Sequence, residues 1–393
     1  MTINVLVVGA TGVAGSAFVE HIRQQQHSGS CDWQITGVTR RSASIASTGG
    51  RANTRGSAST GVSVSTRGSV STSGSNSQSV SEHNNDAQSA ALTSVSYVTA
   101  DLLADYESIK ALRGITHVVF AGFVPAPDFA QQVAPNRDIL VNCLRALDAN
   151  PLQRVVLIQG MKYYGSHLGA FKTPAREDDP RHAGENYYYA QQDALEQSGV
   201  DWTCLRPHVI CGTTSIGTPQ NILSVIGVYA ALMKAAGKPL HWPGTAESFG
   251  AINQATDASL LARAIAWSLE SSNASRQAFN VTNGDFFRWQ HLWPKVAAVF
   301  NMPEGEVATQ ALTQTMPLLS EDWQQLVSQC NLQPHAMDAI AHWPFADYIL
   351  RTGWDVMAST IKIRQAGFGD CLDTEQMYLD HLSTLQSLRV LPS

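Results

Sequence analysis

The segment Val7-Val8-Gly9-Ala10-Thr11-Gly12-Val13-Ala14-Gly15 lies near the N-terminus and decides the fold class. It follows the apolar run 5–8 and opens a helical pattern that continues to residue 22. Three glycines at this spacing allow a tight turn, and a pyrophosphate can then approach the backbone N–H groups at the helix N-terminus. Because the glycines stand between a strand and a helix, the segment predicts a dinucleotide-binding turn rather than a merely structural one.

Apolar runs rich in valine and isoleucine alternate with helix-period segments through the first half of the chain. The predicted strands are 5–8, 34–38, 95–98, 117–121, 155–159 and 203–205. This alternation is typical of a parallel sheet with helices on both faces. We therefore expect an α/β protein with a Rossmann-type doubly wound parallel sheet over 1–205. A smaller, mostly helical substrate-binding part with embedded tryptophans is expected over 206–393, packed intimately on the first.

Residues 42–93 interrupt this pattern. They are dominated by Ser, Gly, Thr and Asn and contain almost no large apolar side chain. Such a composition buries too little surface to offset the entropy lost on ordering, so we expect a mobile surface insertion. It is either a dispensable linker or a lid or regulatory tail.

Composition excludes several classes of protein. The 393 residues carry a formal net charge of −6, which argues against nucleic acid as a partner. The N-terminus lacks the features of a signal peptide and no apolar run is long enough to span a bilayer, so we expect a cytoplasmic protein, monomeric or homodimeric, with no membrane partner. The cysteines show no zinc-site spacing, so no metal site is predicted and they are interpreted as reduced core residues. They are Cys31, Cys143, Cys204, Cys211, Cys330 and Cys371.

The choice between NAD and NADP is made at the end of the second strand. An acidic residue there binds the ribose hydroxyls of NAD, whereas a basic one pairs with the extra phosphate of NADP. This chain has Thr39-Arg40-Arg41, and two guanidinium groups favour NADPH. The alternative is a solvated pair at a strand end. Asp101 and Leu102 follow the third strand and are expected beside the adenine, unless Asp101 only caps a helix over 104–112.

The catalytic pattern departs from that of ordinary short-chain dehydrogenases/reductases, which carry a Tyr-x-x-x-Lys helix. In the segment 185–196 the tyrosine is present as Tyr188, but Gln192 stands where the lysine is expected. Lys162, just after the strand 155–159, is the candidate for the missing positive charge. The alternative for Lys162 is a solvent-exposed loop lysine, and Tyr189 is the reserve for Tyr188.

These two segments resemble the progesterone 5β-reductase/iridoid synthase-like family of atypical extended short-chain dehydrogenases/reductases, in which a Lys-His-Tyr loop and an Asn-Phe-Tyr-Tyr helix replace the usual arrangement. The resemblance extends over most of the chain and skips the insertion. Further matching segments are 173–177, 202–212, 228–232, 278–285 and 343–347.

The resemblance implies NADPH-dependent reduction of an activated carbon–carbon double bond in an enone or enal, with Lys162 and Tyr188 stabilising the developing enolate. It implies a substrate pocket lined by Phe123, Tyr163 and Phe345; the family usually has tryptophan at the position of Phe123. His208 is expected as a core or cofactor-packing histidine. The full set of predicted cofactor-binding residues is Gly9, Thr11, Gly12, Val13, Gly15, Thr39, Arg40, Arg41, Asp101, Leu102, Ala121, Gly122, Phe123, Gln159, Gly160, Tyr188, Pro207, His208, Val209 and Ile210.

Two other functions remain open from the sequence. The same fold serves carbonyl reductases and NAD(P)-dependent epimerases or dehydratases, although the missing lysine of Tyr-x-x-x-Lys argues against them. A non-catalytic NADP-sensing regulator is the third hypothesis. A sensor has no need of both Lys162 and Tyr188, so their presence favours catalysis.

Overall fold

The computed structural model describes residues 3–40, 95–213 and 221–393. At its centre is a seven-stranded parallel sheet with the strand order β11-β6-β5-β4-β1-β2-β3. Its strands are β1 (Asn4–Val8), β2 (Gln34–Thr39), β3 (Ser96–Thr99), β4 (His117–Phe120), β5 (Arg154–Ile158), β6 (Asp201–Pro207) and β11 (Gln277–Val281). The predicted parallel Rossmann sheet is confirmed.

Short strands form three further two-stranded pairs outside this sheet, β10 with β7, β12 with β9 and β13 with β8. They are β7 (Ile210–Cys211), β8 (Leu240–Trp242), β9 (Ile252–Asn253), β10 (Thr256–Asp257), β12 (Phe287–Arg288) and β13 (Glu304–Val307).

The helices of the described chain flank the sheet or form the C-terminal part. They are α1 (Val13–His27), α2 (Glu107–Lys110), α3 (Val133–Ala146), α4 (Tyr187–Gln197), α5 (Ile222–Ala235), α6 (Ala246–Gly250), α7 (Ala258–Glu270), α8 (Trp289–Val299), α9 (Leu312–Thr315), α10 (Ser320–Gln329), α11 (Met337–Ile340), α12 (Trp343–Leu350), α13 (Ile361–Gln365) and α14 (Thr374–Ser387). Three 3₁₀ turns accompany them, Met161–Tyr164, Ser272–Ala274 and Met316–Leu319.

Alternate residues of the strands face two separate cores, because successive side chains point to opposite faces of a sheet. Val5 and Val7 of β1 are buried with residues of α1 and α7 on one face. Leu6 and Val8 are buried with residues of α2, α3 and α4 on the other. Burial on both faces explains why these strands read as continuous apolar runs in the sequence.

The six predicted strands are all present, each within two residues of its predicted ends, but the sequence prediction missed β11. Its residues Gln-Ala-Phe-Asn-Val lack a valine and isoleucine run and come after a long helical stretch. Both β11 and α7 come from the range 206–393, yet they lie in the layers of the main sheet. The two parts of the molecule therefore interleave along the chain, and Trp267 of α7 packs on Phe279 of β11 rather than in the C-terminal part.

A third core joins α5 to the helices of the C-terminal part. Trp242, Trp289, Trp293 and Trp323 are fully buried there. All six cysteines are free, but the expectation that all are core residues is wrong: Cys143, Cys204 and Cys211 are buried, whereas Cys330 and Cys371 are exposed. Both exposed residues lie in short connections after α10 and before α14, where their immediate neighbours are mostly polar.

The predicted insertion 42–93 and the predicted phosphate ligand Arg41 lie outside the described residues. None of the helices described here combines the length and the apolar character needed to cross a membrane.

Candidate functional site

Two adjoining clefts open at the carboxyl ends of β1, β4, β5 and β6, the edge where open α/β sheets bind ligands. The larger cleft, about 420 Å³, runs from the glycine turn past Gly160, Lys162 and Tyr188 to α12. The smaller cleft, about 240 Å³, runs from the same turn past the ends of β2 and β3. Gly9, Gly12 and Phe123 line both clefts, so the glycine turn lies at their junction.

The glycine turn has the geometry that its sequence predicts. Gly9 has a φ of +83°, a conformation that residues with a side chain rarely adopt. A Cβ atom at Gly15 would overlap the Gly9 carbonyl oxygen, so only glycine lets α1 pack this closely against β1. Gly12 is the N-cap of α1 and makes no side-chain cap, which leaves the positive end of the helix dipole facing the clefts.

The smaller cleft contains the predicted residues for the adenine half of a cofactor. Thr39, Arg40, Asp101 and Leu102 all line it, and Arg40 is exposed at the end of β2. The Asp101 Oδ1 atom accepts the Leu103 N–H at 3.0 Å, which closes a local turn. The alternative expectation was that Asp101 caps a helix over 104–112. The helix begins only at Glu107, and its N-cap is Tyr106.

Lys162 reaches the larger cleft from the 3₁₀ turn that follows β5. Its ammonium lies 5.5 Å from the ring centroid of Phe129 and 5.1 Å from that of Tyr348. Burial lowers the pKa of this ammonium, and no carboxylate contributes to its shift. Two aromatic faces thus hold the cation while its charge stays available to a ligand in the cleft.

Tyr188 lies in the first turn of α4, facing the same cleft. Its hydroxyl stands close to Gly160, where a Cβ atom would lie 3.0 Å from it. Burial raises the pKa of Tyr188 to about 12, so the phenol keeps its proton and acts as a hydrogen-bond donor at neutral pH.

Asn186 and Gln159 tie the two candidate catalytic residues together. The Asn186 Oδ1 atom caps α4 by accepting the Tyr188 N–H at 3.0 Å, and its Nδ2 donates to the Lys162 carbonyl at 2.9 Å. Gln159 donates from Nε2 to the Tyr188 carbonyl at 3.0 Å. The position of the lysine loop is therefore coupled to that of the tyrosine helix.

Tyr189, the reserve candidate, points away from the larger cleft. Its hydroxyl donates to the Tyr163 carbonyl at 2.6 Å and accepts the His182 N–H at 3.0 Å. Since both bonds hold it inside a structural network, the geometry favours Tyr188.

Gln192 occupies the place of the missing lysine, and the structure gives the reason. Its Oε1 accepts a hydrogen bond from Nη2 of Arg206 at 3.2 Å, and Arg206 is only 1% exposed. The guanidinium also donates to Gln159 Oε1 at 3.0 Å and lies 3.4 Å from the ring centroid of Tyr163. A lysine at 192 would place a second cation against a buried one, which is strongly unfavourable.

The prediction that Tyr163 lines the substrate pocket is wrong. Its ring is buried between Arg206 and the edge of Tyr189, outside both clefts. The prediction failed because the residues of a 3₁₀ turn point in different directions, so Lys162 faces the cleft and its neighbour faces the protein interior. Phe123 and Phe345, the other two residues predicted for the substrate pocket, line the larger cleft.

The end of β6 and the residues that follow it also line the larger cleft. Pro207, His208, Val209 and Ile210 all line it, and Val209 has a φ of +34°, which is strained for a β-branched residue. Burial lowers the pKa of His208 to about 4, so this histidine is neutral at physiological pH.

Sequence reasoning missed several residues of the larger cleft. Tyr187, Ser166, Gln191 and Tyr348 line it, and Phe129 packs against it through Lys162 and Tyr187. Tyr187 was adjacent to a predicted catalytic residue, which was the available signal. Phe129 and Tyr348 reach Lys162 from distant segments, so no local pattern identifies them.

Comparison with known proteins assigns the chain a family and a fold. A family model described as a PRISE-like Rossmann-fold domain matches residues 81–357. The (S)-8-oxocitronellyl enol synthase of Antirrhinum majus is 26% identical, over 98% of this chain and 92% of that protein. The 3-oxo-Delta(4,5)-steroid 5-beta-reductase of Arabidopsis thaliana is 28% identical, over 76% of this chain and 81% of that protein.

Solved structures with the same fold include the UDP-glucuronic acid 4-epimerase of Bacillus cereus, with a TM-score of 0.60 and 12% identity over 98% of this chain and 99% of that one. The enzyme WbmH of Bordetella bronchiseptica gives a TM-score of 0.57 and 17% identity, also over 98% and 99% of the two chains. At these identities the likeness concerns the fold alone.

The glycine turn generates a paired prediction. Gly12→Ala should leave thermal stability nearly unchanged, since the nearest atom to its Cβ is 3.4 Å away, but should weaken dinucleotide binding at least tenfold by obstructing the pyrophosphate. Gly15→Ala should destabilise the fold by about 1–3 kcal/mol through overpacking. Thermal unfolding and cofactor titration of both variants check this, and equal effects of the two substitutions would contradict it.

Gln192→Lys should lower the free energy of unfolding by about 3 kcal/mol or more, because it removes an acceptor from a buried guanidinium and adds a like charge. Urea denaturation measures the change, with Gln197→Lys at the exposed end of the same helix as the control. Although Gln192→Lys restores the Tyr-x-x-x-Lys pattern, it should not raise kcat. Wild-type stability in Gln192→Lys would show that Arg206 does not constrain this position.

Proposed function

The chain belongs to the PRISE-like Rossmann-fold family, as its motifs indicated, and from this premise we propose that it is an NADPH-dependent reductase of activated carbon–carbon double bonds in enones or enals. The observation that carries the proposal is the meeting of Lys162 and Tyr188 in the larger cleft, beside the end of β5. The activities for which the two relatives are named support the same class of chemistry.

The residues present fit a dinucleotide. The glycine turn at the junction of the clefts supplies a helix N-terminus without a competing side-chain cap, which suits a pyrophosphate. The smaller cleft then accommodates the adenosine half, and the larger cleft accommodates the nicotinamide half with space beyond it for a small substrate. Arg40 at the rim of the smaller cleft is the candidate for binding the 2′-phosphate, which favours NADPH over NADH.

When bound, NADPH would supply the hydride that the β-carbon of the substrate receives. Negative charge would then collect on the carbonyl oxygen until the α-carbon takes a proton from solvent, and the residues of the chain act on that oxygen. Tyr188 donates its phenol hydrogen bond to the oxygen, and the Lys162 ammonium stabilises the charge through space. The partial burial of Lys162 strengthens this field, because few water molecules screen it.

Rates of NADPH oxidation with a panel of substrates test the proposed reaction. The panel contains small linear enones and enals, cyclic enones, a steroid enone and the matched saturated ketones and aldehydes. We expect turnover of the unsaturated compounds and none of the saturated ones. Turnover of the saturated ketones would instead support carbonyl reduction, and NADPH binding without any turnover would support a cofactor-sensing protein.

The charge on Lys162 predicts a pH dependence. Since burial lowers its pKa, the ammonium is lost at a lower pH than in an exposed lysine, and kcat should fall as the pH rises through that value. His167, also beside Lys162, and His208 have pKa values near 4, and Tyr188 titrates near 12, so none of them produces this limb. Arginine stays charged throughout, so the limb should disappear in Lys162→Arg.

Lys162→Met should lower kcat by ~100-fold or more at neutral pH while changing cofactor affinity only a few-fold, because the loss is confined to the transition state. Steady-state kinetics and separate NADPH titrations of the wild type, Lys162→Met and Lys162→Arg measure both effects. An alkaline limb that persists unchanged in Lys162→Arg would contradict the assignment.

Arg40 predicts the cofactor preference. NADPH should bind more tightly than NADH, and Arg40→Ala should reduce the difference about tenfold, the usual value of one charge-assisted hydrogen bond at an exposed position. Titration of both cofactors against both proteins measures this, with Arg113→Ala as a control at another exposed arginine outside the two clefts. Equal affinities of the wild-type protein for NADPH and NADH would exclude the proposed role of Arg40 in binding the 2′-phosphate.

A further inference from the structure

The Asn186 side chain, which joins the 3₁₀ turn of Lys162 to the helix of Tyr188, is also hydrogen-bonded to a histidine. Its Nδ2 atom lies 3.1 Å from Nε2 of His182. Asn186 is 3% exposed, so a bond that its amide loses is not replaced by bulk water. His182 is therefore part of the framework that connects the two candidate catalytic residues.

The backbone fixes the orientation of the Asn186 amide. Its Oδ1 atom faces the Tyr188 N–H, which can only donate, and its Nδ2 atom faces the Lys162 carbonyl, which can only accept. One Nδ2 hydrogen remains after the bond to the carbonyl, and it faces Nε2 of His182. The Nε2 atom therefore accepts, which a ring nitrogen does only when it carries no hydrogen.

The other ring nitrogen of His182 agrees with this assignment. Nδ1 lies 2.8 Å from the Ala183 carbonyl oxygen, which only accepts, so Nδ1 carries the hydrogen. His182 is thus a neutral imidazole in the Nδ1–H tautomer, with both nitrogens paired. Its backbone N–H donates to the Tyr189 hydroxyl at 3.0 Å, which holds the residue in place.

We propose that His182 is a positioning residue for the reduction and that it makes the site sensitive to acid. A proton added at Nε2 turns this acceptor into a donor that faces the Nδ2 hydrogen of Asn186, so the hydrogen bond is lost. Asn186 is then no longer held in the orientation that joins Lys162 to Tyr188. This inference rests on the proposed function, because it concerns the same two catalytic residues.

The expected consequence is an acid limb in the pH profile of kcat. Histidine is the side chain that ordinarily gains a proton between about pH 8 and pH 5, so kcat should fall as the pH is lowered through this interval. The fall should be about tenfold, which corresponds to the loss of one hydrogen bond. Lys162 loses its proton as the pH rises, so it gives a limb of the opposite slope.

The charged and titratable neighbours of His182 do not account for such an acid limb. The ring centroid of His167 is 5.7 Å from that of His182, and burial lowers the pKa of His167 to about 4, so it stays neutral. The ring centroid of Tyr189 is 5.3 Å away, and burial raises the pKa of this phenol. Arg181, which is ion-paired with Asp193, stays charged throughout.

His182→Gln is the diagnostic variant, because a glutamine side-chain oxygen can accept the Asn186 hydrogen bond without titrating. It should keep kcat within about threefold of the wild type near pH 8 and lack the acid limb. His182→Ala leaves the Asn186 hydrogen without an acceptor and should lower kcat about tenfold at every pH. The control is His241→Gln, a substitution of another half-buried histidine outside the two clefts, which should retain the acid limb.

A measurement without substrate separates this inference from the proposed reaction. Imidazole ¹⁵N chemical shifts of histidine-labelled protein report which ring nitrogen carries hydrogen, and the signals that are missing in His182→Gln identify His182. Near neutral pH the wild type should show the Nδ1–H tautomer, and the side-chain NH₂ signals of Asn186 should shift as His182 gains its second proton. If the protein reduces no enone but shows this tautomer and this linked shift, the proposed function fails and the role of His182 in holding Asn186 stands.

Three results overturn the inference. The first is the absence of an acid limb in the wild-type kcat, and the second is an acid limb that persists unchanged in His182→Gln. The third is an Nε2–H tautomer of His182, since Nε2 could not then accept from Asn186. The tautomer measurement on the wild-type protein decides the question even if His182→Ala does not fold.

Discussion

The buried guanidinium of Arg206 is the constraint on which the site depends. It lies at the end of β6 and donates to Gln159 after β5, to Gln192 on α4, to the hydroxyl of Tyr164 and to the Glu177 carbonyl. A buried charge is stable only when its hydrogen bonds are satisfied, so each of these segments has a fixed position relative to the others. The same requirement keeps Tyr163 in the interior, stacked on the guanidinium.

Under the proposed function, this constraint accounts for the absence of the usual lysine from α4. The α4 helix presents a neutral glutamine to Arg206, so the cation that the proposed reaction requires is assigned to another segment. Lys162 comes from the 3₁₀ turn after β5, and Asn186 links that turn to the tyrosine helix. The cation and the phenol donor thus belong to one hydrogen-bonded framework although they lie far apart in the sequence.

Local sequence patterns identified the parts of the fold and site that depend on local chemistry. The glycine turn and the six apolar strands were readable, because spacing and flanking residues specify them. Lys162 and Tyr188, which the family resemblance brought together as candidates, line the same cleft. The sequence did not reveal β11, since its apolar pattern is weak and its partner β6 is distant in the chain. Phe129 and Tyr348 escaped notice for a similar reason, because long-range packing alone brings them to Lys162.

The fate of the transferred hydride tests the central claim most directly. NADPH carrying deuterium at the transferable position of the nicotinamide is incubated with the protein and a small enone, and the product is analysed by NMR. The account predicts a saturated ketone with deuterium on the carbon β to an intact carbonyl group. An unsaturated alcohol with deuterium on the former carbonyl carbon would contradict it.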